Sequence, residues 1–403
     1  MLPRLRADLD MMPSPVPEKP GLLIRDPFHF SDATLIIPPH MVECLTFFDG
    51  EQSSLDLRAY LARLTGSVDV SDVEQHLLDT LSEAGFLEDD AFAQRKFLVE
   101  QAFAAAPVRL AQHAGSGYPE DAGELADEFR DYLGEAEESA GAVLGIAAPH
   151  VSPFGGIESY RAAYRSLTPA DAQRTFVVLG TSHYGEPERF GLTRKPFATP
   201  FGSTMPAYNL IDELERNGGD AVRTEDYCHA IEHSIEFQVV FLQHLFGPEI
   251  RVLPILCGSF LRSVYEGGLP EDTERVARMF GALGEMAARE GSKLCWVLGV
   301  DMAHMGRRYG DRFPALAEQG EMTEVSRRDR ERIACMESGD ARGFWERVQE
   351  DGQADKAELK WCGSSPIYTF LRAVPEARGR LKQYQQWNID EESVVSFAGM
   401  RFS

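Results

Sequence analysis

Long apolar runs are missing from this chain. None reaches the roughly 18 residues that a bilayer-spanning helix requires, so no membrane segment or membrane partner is expected. The stretch Met1 to Asp10 lacks the apolar core of a secretory signal, and the expectation is a soluble, cytoplasmic protein. Cysteine is sparse: Cys44, Cys228, Cys257, Cys295, Cys335 and Cys362 are scattered through 403 residues without a C-x-x-C pair. That spacing argues against a zinc ribbon and against a disulfide scaffold, and most of the six read as small buried hydrophobes. Clustered basic residues are lacking as well. Forty Lys and Arg face 64 Asp and Glu, for a net charge of -24, which makes nucleic acid an improbable partner because phosphate contacts need grouped cations. No internal repeat and no low-complexity tract is visible.

What is present is a set of short, continuous apolar runs that break into the same polar punctuation. Ala142–Ala148 runs into Pro149-His150, Phe176–Gly180 into Thr181-Ser182-His183, and Leu294–Gly299 into Val300-Asp301-Met302-Ala303-His304. Continuous rather than alternating runs predict strands buried on both faces of a parallel or mixed sheet. Ligands of open α/β sheets sit beyond the carboxyl ends of such strands. Three strands therefore deliver a histidine to one edge, and the convergence predicts a metal or acid/base site. For a single histidine the plainer reading is a hydrogen-bonded turn residue; three with the same placement favour a shared site.

Length predicts two domains. Residues 1–28, with Pro13, Pro15, Pro17 and Pro20, are expected to be extended or disordered. Residues 29–90 read as a compact α+β unit: a strand at Leu35-Ile36-Ile37, a helix from Pro38-Pro39 to Phe47-Phe48, a second capped by Ser54, and a third opened by a capping box at Ser71 to Glu74. The third helix carries Val73, Leu77, Leu78 and Leu81 on one face and ends at Gly85. Phe86-Leu87-Glu88 follows as a strand edge. Residues 91–106 read as a connecting helix, and 107–403 alternate strands and helices as an α/β domain. The segments FFDGEQSSLDLRAYLARL and DVEQHLLDTLSEAGFLED resemble a winged helix, in particular the PqqD-like peptide-binding domains. Without a basic recognition helix, that resemblance implies protein or peptide contact, or a structural appendage, rather than DNA binding.

A second polar cluster follows Cys228: His229-Ala230-Ile231-Glu232-His233-Ser234-Ile235-Glu236. Read as one helix, it pairs Glu232 with Glu236 and His229 with His233 at i,i+4. The letters H-A-I-E-H also match the H-x-x-E-H arrangement of inverted zinc peptidases, although no distinctive third ligand appears downstream.

The second domain is identified as a member of the Memo family, the B component of the AmmeMemoRadiSam system, through PVRLAQHAGSGYPEDAGELADEFRDYL, IAAPH, VVLGTSHYG, FATPFGS, EHSIEFQVVFLQHLF, VLPILCGSF, VLGVDMAHMGRRYGD and WCGSSPIYTFLRAV, all in the family's order. The resemblance implies an α/β fold similar to that of class III extradiol dioxygenases, a mixed sheet flanked by helices. It implies His150 and His183 as metal ligands, and Cys362 near the place of the dioxygenase carboxylate ligand. His304 takes the place of the acid/base histidine, with Asp301 as its orienting partner. Glu232, His233 and Glu236 are expected to line the cleft or to hold the ligands.

The implied cofactor is a divalent metal. Fe(II) is favoured, with Cu or Zn as alternatives, because two imidazoles and a thiolate suit all three. The implied activity is a non-haem redox reaction on a small-molecule or peptide substrate, with a radical SAM protein as partner by family association. The alternative is a non-enzymatic metal- or peptide-binding adaptor. Two segments depart from the family pattern, Val151-Ser152-Pro153-Phe154-Gly155-Gly156 after APH and AGSGYP in place of an AGSFYP-like segment, and both put a relative's substrate in doubt. Cys257 reads as inert and Cys228 as intermediate; Cys362 is either a ligand or a buried thiol.

Overall fold

The computed structural model describes residues 1–134, 143–352 and 358–403. The chain divides into two compact units, Met1–Ala105 and Ala106–Ser403.

The first unit starts earlier than its prolines suggest. Strands β1 (Asp10–Pro13), β2 (Leu22–Arg25) and β3 (Thr34–Ile37) form an antiparallel sheet in that order. Residues 1–28 are therefore part of the fold, because Leu2, Leu9 and Ile24 reach its core and Arg6 forks onto the Asp26 carboxylate at 3.0 Å. A 3-10 helix over Pro39–Phe47 leads to α1 (Ser54–Thr65), α2 (Ser71–Glu83) and α3 (Asp90–Ala105). The capping box belongs to α1: Ser53, one residue before the expected cap, accepts from the Asp56 amide, and Asp56 answers the Ser53 amide. The box expected at Ser71 does not form, because Val70 caps α2 and the Glu74 carboxylate is taken by Arg58. Glu74 thereby turns inward and Val73 outward, while Leu77 and Leu81 stay buried. After the helix, Leu87 makes a single antiparallel bridge to Leu5.

The second unit is a three-layer α/β structure. Chain order runs β4 (Arg109–Leu110), α4 (Ala122–Leu133), β5 (Gly145–Ala148), α5 (Ile157–Tyr164), β6 (Thr175–Thr181), β7 (Phe190–Leu192), β8 (Phe197–Thr199), β9 (Gly202–Ser203), β10 (Met205–Pro206), α6 (Tyr208–Gly218), β11 (Val222–Thr224), α7 (Cys228–Ile231), α8 (Glu236–Phe246) and β12 (Arg251–Cys257). Then come α9 (Leu261–Glu266), α10 (Glu274–Glu290), β13 (Leu294–Gly299), β14 (His304–Gly306), α11 (Glu321–Ser338), α12 (Ala341–Gln349), α13 (Ser364–Ala373), β15 (Gly379–Asp390) and β16 (Ser393–Phe402).

The main sheet has the order β11-β7-β12-β6-β13-β5-β16-β14, with β10 beside β12 and β15 beside β16. Its centre, β12-β6-β13-β5, is parallel, and β16 closes it antiparallel to β5. Every residue of β5, β6 and β13 is buried, as continuous apolar runs require; Ala142, at the head of the first run, lies outside the described residues. One apolar core holds residues of α6, α10, α12 and α13, and another those of α4, α5 and α8, so both faces are covered. Neighbouring parallel strands β6, β13 and β5 end at the same edge, and the candidate residues follow those three ends.

Candidate metal centre

His150 lies two residues beyond β5, His183 two beyond β6, and Asp301 two beyond β13. Cys362 arrives from a different direction, on the turn before α13, where Gly363 packs against the Asp301 carbonyl so closely that a Cβ would stand 2.6 Å from that oxygen. Only a glycine permits that approach, and it brings the thiol to the strand ends.

The ring nitrogens of His150 and His183 and the sulfur of Cys362 all lie within 4.8 Å of one another. Each imidazole is held by its other nitrogen. His150 Nδ1 donates to the Gly299 carbonyl at 3.0 Å, and His183 Nδ1 donates to the Glu232 carboxylate at 3.0 Å. In the neutral rings both Nε2 atoms carry the lone pairs that a shared ion would take, the arrangement in which a partner behind the ring fixes tautomer and orientation. His150 Nε2 stands 3.2 Å from Cys362 Sγ and 3.5 Å from Asp301 Oδ2. Two imidazoles and a thiol at this spacing fit a soft-to-borderline divalent ion.

Electrostatics separates the two histidines. Burial, together with the charges of His183 and His233, holds His150 well below its ordinary range. Burial also works against charge on His183, but the Glu232 carboxylate outweighs it, with help from Cys362, and the ring sits well above its ordinary value. Burial pushes the Cys362 thiol up, against the pull of His183. Asp301 is raised to about 7 by burial, although the His150 and Val151 amides favour its charged form.

Asp301 does not orient His304. Its carboxylate accepts the His150 amide at 2.9 Å, whereas His304 Nδ1 bonds to the Met302 carbonyl at 3.0 Å. The reason is the chain path: after β13 the turn points Asp301 back at the neighbouring strand end, and His304 opens β14. Burial lowers His304 to about 4, so the ring is neutral near pH 7, edge-on to Tyr309 at a centroid distance of 4.9 Å.

The polar cluster after Cys228 is not one helix. α7 ends at Ile231, Glu232 is extended (φ -78°, ψ 136°), and α8 starts at Glu236. Glu232 itself breaks the helix: its carboxylate accepts the amides of His233 and His183, both at 2.9 Å, besides the His183 ring. The break lets Ser234 pack on the end of β13, where a Cβ on Gly299 would meet the Ser234 carbonyl at 2.1 Å. The zinc-peptidase geometry is thereby overturned, since His229 and His233 share no helix face, and His229 Nε2 bonds instead to the Gly191 carbonyl at 3.0 Å. His183, Glu232 and His233 also form a compact group, but the Glu232 oxygens are already committed to imidazole and amide donors.

Glu236 serves another purpose. Fully buried, it pairs with the buried Arg109, accepts the Gln112 and His113 amides, and takes the Tyr118 hydroxyl at 2.5 Å. Arg109 also donates to the His229 and Glu232 carbonyls, bridging the helix break. The sequence alone does not mark Arg109, His113 and Tyr118 as site residues. All three lie inside the segment PVRLAQHAGSGYP, which was the available signal.

The centre opens into a cleft of about 640 Å3 lined by His113, His150, His183, His233, Asp301, His304 and Tyr309, among others. Both departures from the family pattern lie on its wall: Ser152 and Phe154 on one side, where Phe154 meets Trp387 edge-on at 5.7 Å, and Ser116 and Gly117 on the other. Of the remaining thiols, Cys257 is raised to about 12 by burial, and burial also raises Cys228; both are therefore protonated near pH 7. Among the described residues no helix is long and apolar enough to cross a membrane.

Known proteins are similar to this chain in sequence. A profile of the Memo-like protein family matches residues 109–401. A MEMO1 family protein of Aquifex aeolicus is 25% identical across 94% of this chain and 95% of its own length. One from Thermus thermophilus is 30% identical over 76% of this chain and 85% of its own. One from Methanosarcina mazei is 25% identical over 71% of this chain but 96% of its own. The Aquifex relative thus extends over nearly the full two-unit chain.

Proposed function

The chain belongs to the Memo-like protein family, and on that premise we propose that His150, His183 and Cys362 hold one divalent metal ion in a redox enzyme acting on a small-molecule or peptide substrate. Fe(II) is the favoured ion, with Cu or Zn as alternatives. The observation that carries this reading is the pair of committed Nδ1 atoms: Gly299 and Glu232 leave two Nε2 lone pairs beside one sulfur. The kinship with class III extradiol dioxygenases, offered here as part of the proposal, supplies the reaction type. A bound redox ion would contribute electron transfer to an oxygen-bearing substrate.

The chain's own residues have separate tasks. Glu232 keeps the His183 lone pair on Nε2, and Asp301 anchors the His150 amide. His304, neutral near pH 7, accepts a proton from substrate bound in the imidazole cleft. Tyr309 and Trp387 line that cleft. Ring cleavage is not part of the proposal, because the resemblance puts Cys362 near the place of the dioxygenase carboxylate.

The test is metal content after anaerobic purification. Wild type is expected to carry about one ion per chain, with occupancy lost in His183→Ala and in Cys362→Ser. A wild-type protein that stays metal-free when offered Fe(II), Cu and Zn defeats the reading. The adaptor alternative draws on the PqqD-like resemblance of the first unit and on a radical SAM protein as partner. It predicts bound metal without oxygen consumption in the presence of any candidate substrate.

A further inference from the structure

Cys362 is carried by a strap, Leu359-Lys360-Trp361, that three carboxylates tie to the rest of the unit. Asp351 accepts the Leu359 amide at 3.1 Å, Asp311 takes Lys360 Nζ at 2.7 Å, and Asp329 takes the Trp361 Nε1–H at 2.7 Å. Between these ties Lys360 stands at φ +53°. A residue with a Cβ is uncommon in that left-handed region, and such backbone persists where its surroundings over-determine it, most often at functional sites. The strained residue here lies two positions before the thiol.

The tie at Asp329 is the most deeply buried of the three. Asp329, on α11, has no exposed surface, and Trp361 is 5% exposed. The two carboxylate oxygens face different parts of the fold. Oδ1 holds the indole; Oδ2 accepts the Tyr384 hydroxyl from β15 at 2.8 Å and the Ser396 hydroxyl from β16 at 2.6 Å. Ser396 is in turn clamped to the turn after β13: its hydroxyl accepts the Ala303 amide at 2.8 Å, and its own amide donates to the Ala303 carbonyl at 2.9 Å. One oxygen is thus fixed to the sheet and to the turn bearing Asp301 and His304, while the other reaches across to the strap.

Packing alone does not call for a carboxylate at this place. Burial pushes the Asp329 carboxyl up, against the three hydrogen bonds and the charge of Arg332. An apolar side chain would fill the space without that cost, but would leave the indole N–H unpaired and its direction unset. The ring itself is confined, with the Arg332 guanidinium 5.1 Å from its centroid and the Phe344 ring at 5.9 Å. A shift of the indole therefore moves the neighbouring residue, Cys362.

We propose that Asp329 is a positioning residue of the metal centre: by tying the Trp361 indole to the sheet, it holds the strained strap in the conformation that presents Cys362 Sγ to His150 and His183. The inference rests on the reading of Cys362 as a ligand, and adds a residue that touches neither the ion nor the substrate.

Two readouts on the full chain test it. In protein loaded with cobalt(II), a thiolate ligand gives a near-ultraviolet charge-transfer band that imidazole ligands do not. Trp361→Phe, which keeps a ring and removes the N–H, is expected to lose most of that band and to bind cobalt about tenfold more weakly. In metal-free protein Cys362 is half-buried and the other five cysteines are buried. Its alkylation by iodoacetamide, followed on its own peptide by mass spectrometry, is expected to run about tenfold faster in Trp361→Phe as the strap opens. Asp329→Ala behaves alike, and Trp361→Phe decides alone should Asp329→Ala fail to fold. Asp329→Asn keeps both signals near wild type: the indole can only donate and still finds the amide oxygen, whereas the two hydroxyls can turn to accept from Nδ2. Tyr384→Phe removes a bond to the same carboxylate without touching the strap; stability falls, but band and alkylation rate stay within about twofold of wild type. A Trp361→Phe protein with the wild-type band and alkylation rate overturns the proposal, as does a Tyr384→Phe protein that loses them equally. If wild type binds no cobalt, the metal reading fails by itself, and the alkylation rates still decide whether Asp329 places the thiol.

Discussion

Two buried carboxylates four residues apart, Glu232 and Glu236, belong to two neighbouring regions with opposite solutions to the same problem. Each has been taken out of water, which disfavours its charge. In the metal centre, Glu232 is compensated by the His183 and His233 imidazoles and by backbone amides. In the support behind it, Glu236 is compensated by the Arg109 guanidinium, a fixed fork of donors, and by the Tyr118 hydroxyl. The first arrangement can exchange a proton for a cation; the second is fixed. Their adjacency means that the loop carrying the adjustable group is anchored by the permanent one, since Arg109 also holds the Glu232 carbonyl.

That contrast is broken most severely at Arg109. Arg109→Met leaves an uncompensated carboxylate in the interior, and the expected loss is about 3–5 kcal/mol, read as a lower urea midpoint. Tyr118→Phe keeps the ion pair and removes one hydroxyl bond to a charged acceptor, for an expected loss of about 1.5–3 kcal/mol in the same measurement. If both variants unfold like wild type, the support is not where stability resides.

Glu232→Gln sharpens the other half. It is expected to weaken metal binding roughly 10- to 100-fold, as loss of a partner behind a ligating imidazole does. The sign of the pH effect follows from the raised value of His183. Metal-free protein keeps His183 protonated above its ordinary range, so metal competes with that proton and affinity rises with pH. In Glu232→Gln the ring releases its proton at lower pH, and the rise moves down the scale. Metal titrations across pH 5 to 9 separate the outcomes, and an unmoved profile denies Glu232 its role.

How much of this was legible follows the range of the interactions. The strand ends were readable because β5, β6 and β13 are short runs without a polar interruption, and the residues beyond them have little choice of edge. The break at Glu232 was not readable: CHAIEHSIEF has helical periodicity, and what stops the helix is a carboxylate reaching His183, 49 residues away. Arg109 was hidden for the same reason, its partner Glu236 being 127 residues distant. In the first unit, the prolines suggest an extended or disordered stretch before β2, but Arg6 and Asp26 hold each other across twenty residues that local composition cannot connect. The sequence pairs Asp301 with the nearby His304, but its turn faces β5 rather than β14.

The smallest expected effect tests whether the centre's neutral histidine differs from its charged one. His304, lowered to about 4 by burial, stays neutral in the folded protein at pH values where the unfolded chain, with an ordinary value near 6.5, has taken up a proton. The unfolded state therefore binds more protons between about pH 6.5 and 4, and stability falls as pH falls through that window. In metal-free protein the share due to His304 is on the order of 1 kcal/mol between pH 7 and pH 5. His183 runs the other way, because its folded form holds the proton more tightly and its stabilisation is lost as pH rises. Urea unfolding of wild type and His304→Gln at pH 7, 6 and 5 should show a shallower acid slope in the variant. Equal slopes would mean that His304 takes up its proton in the folded protein as readily as in the unfolded chain, so that burial does not set its charge.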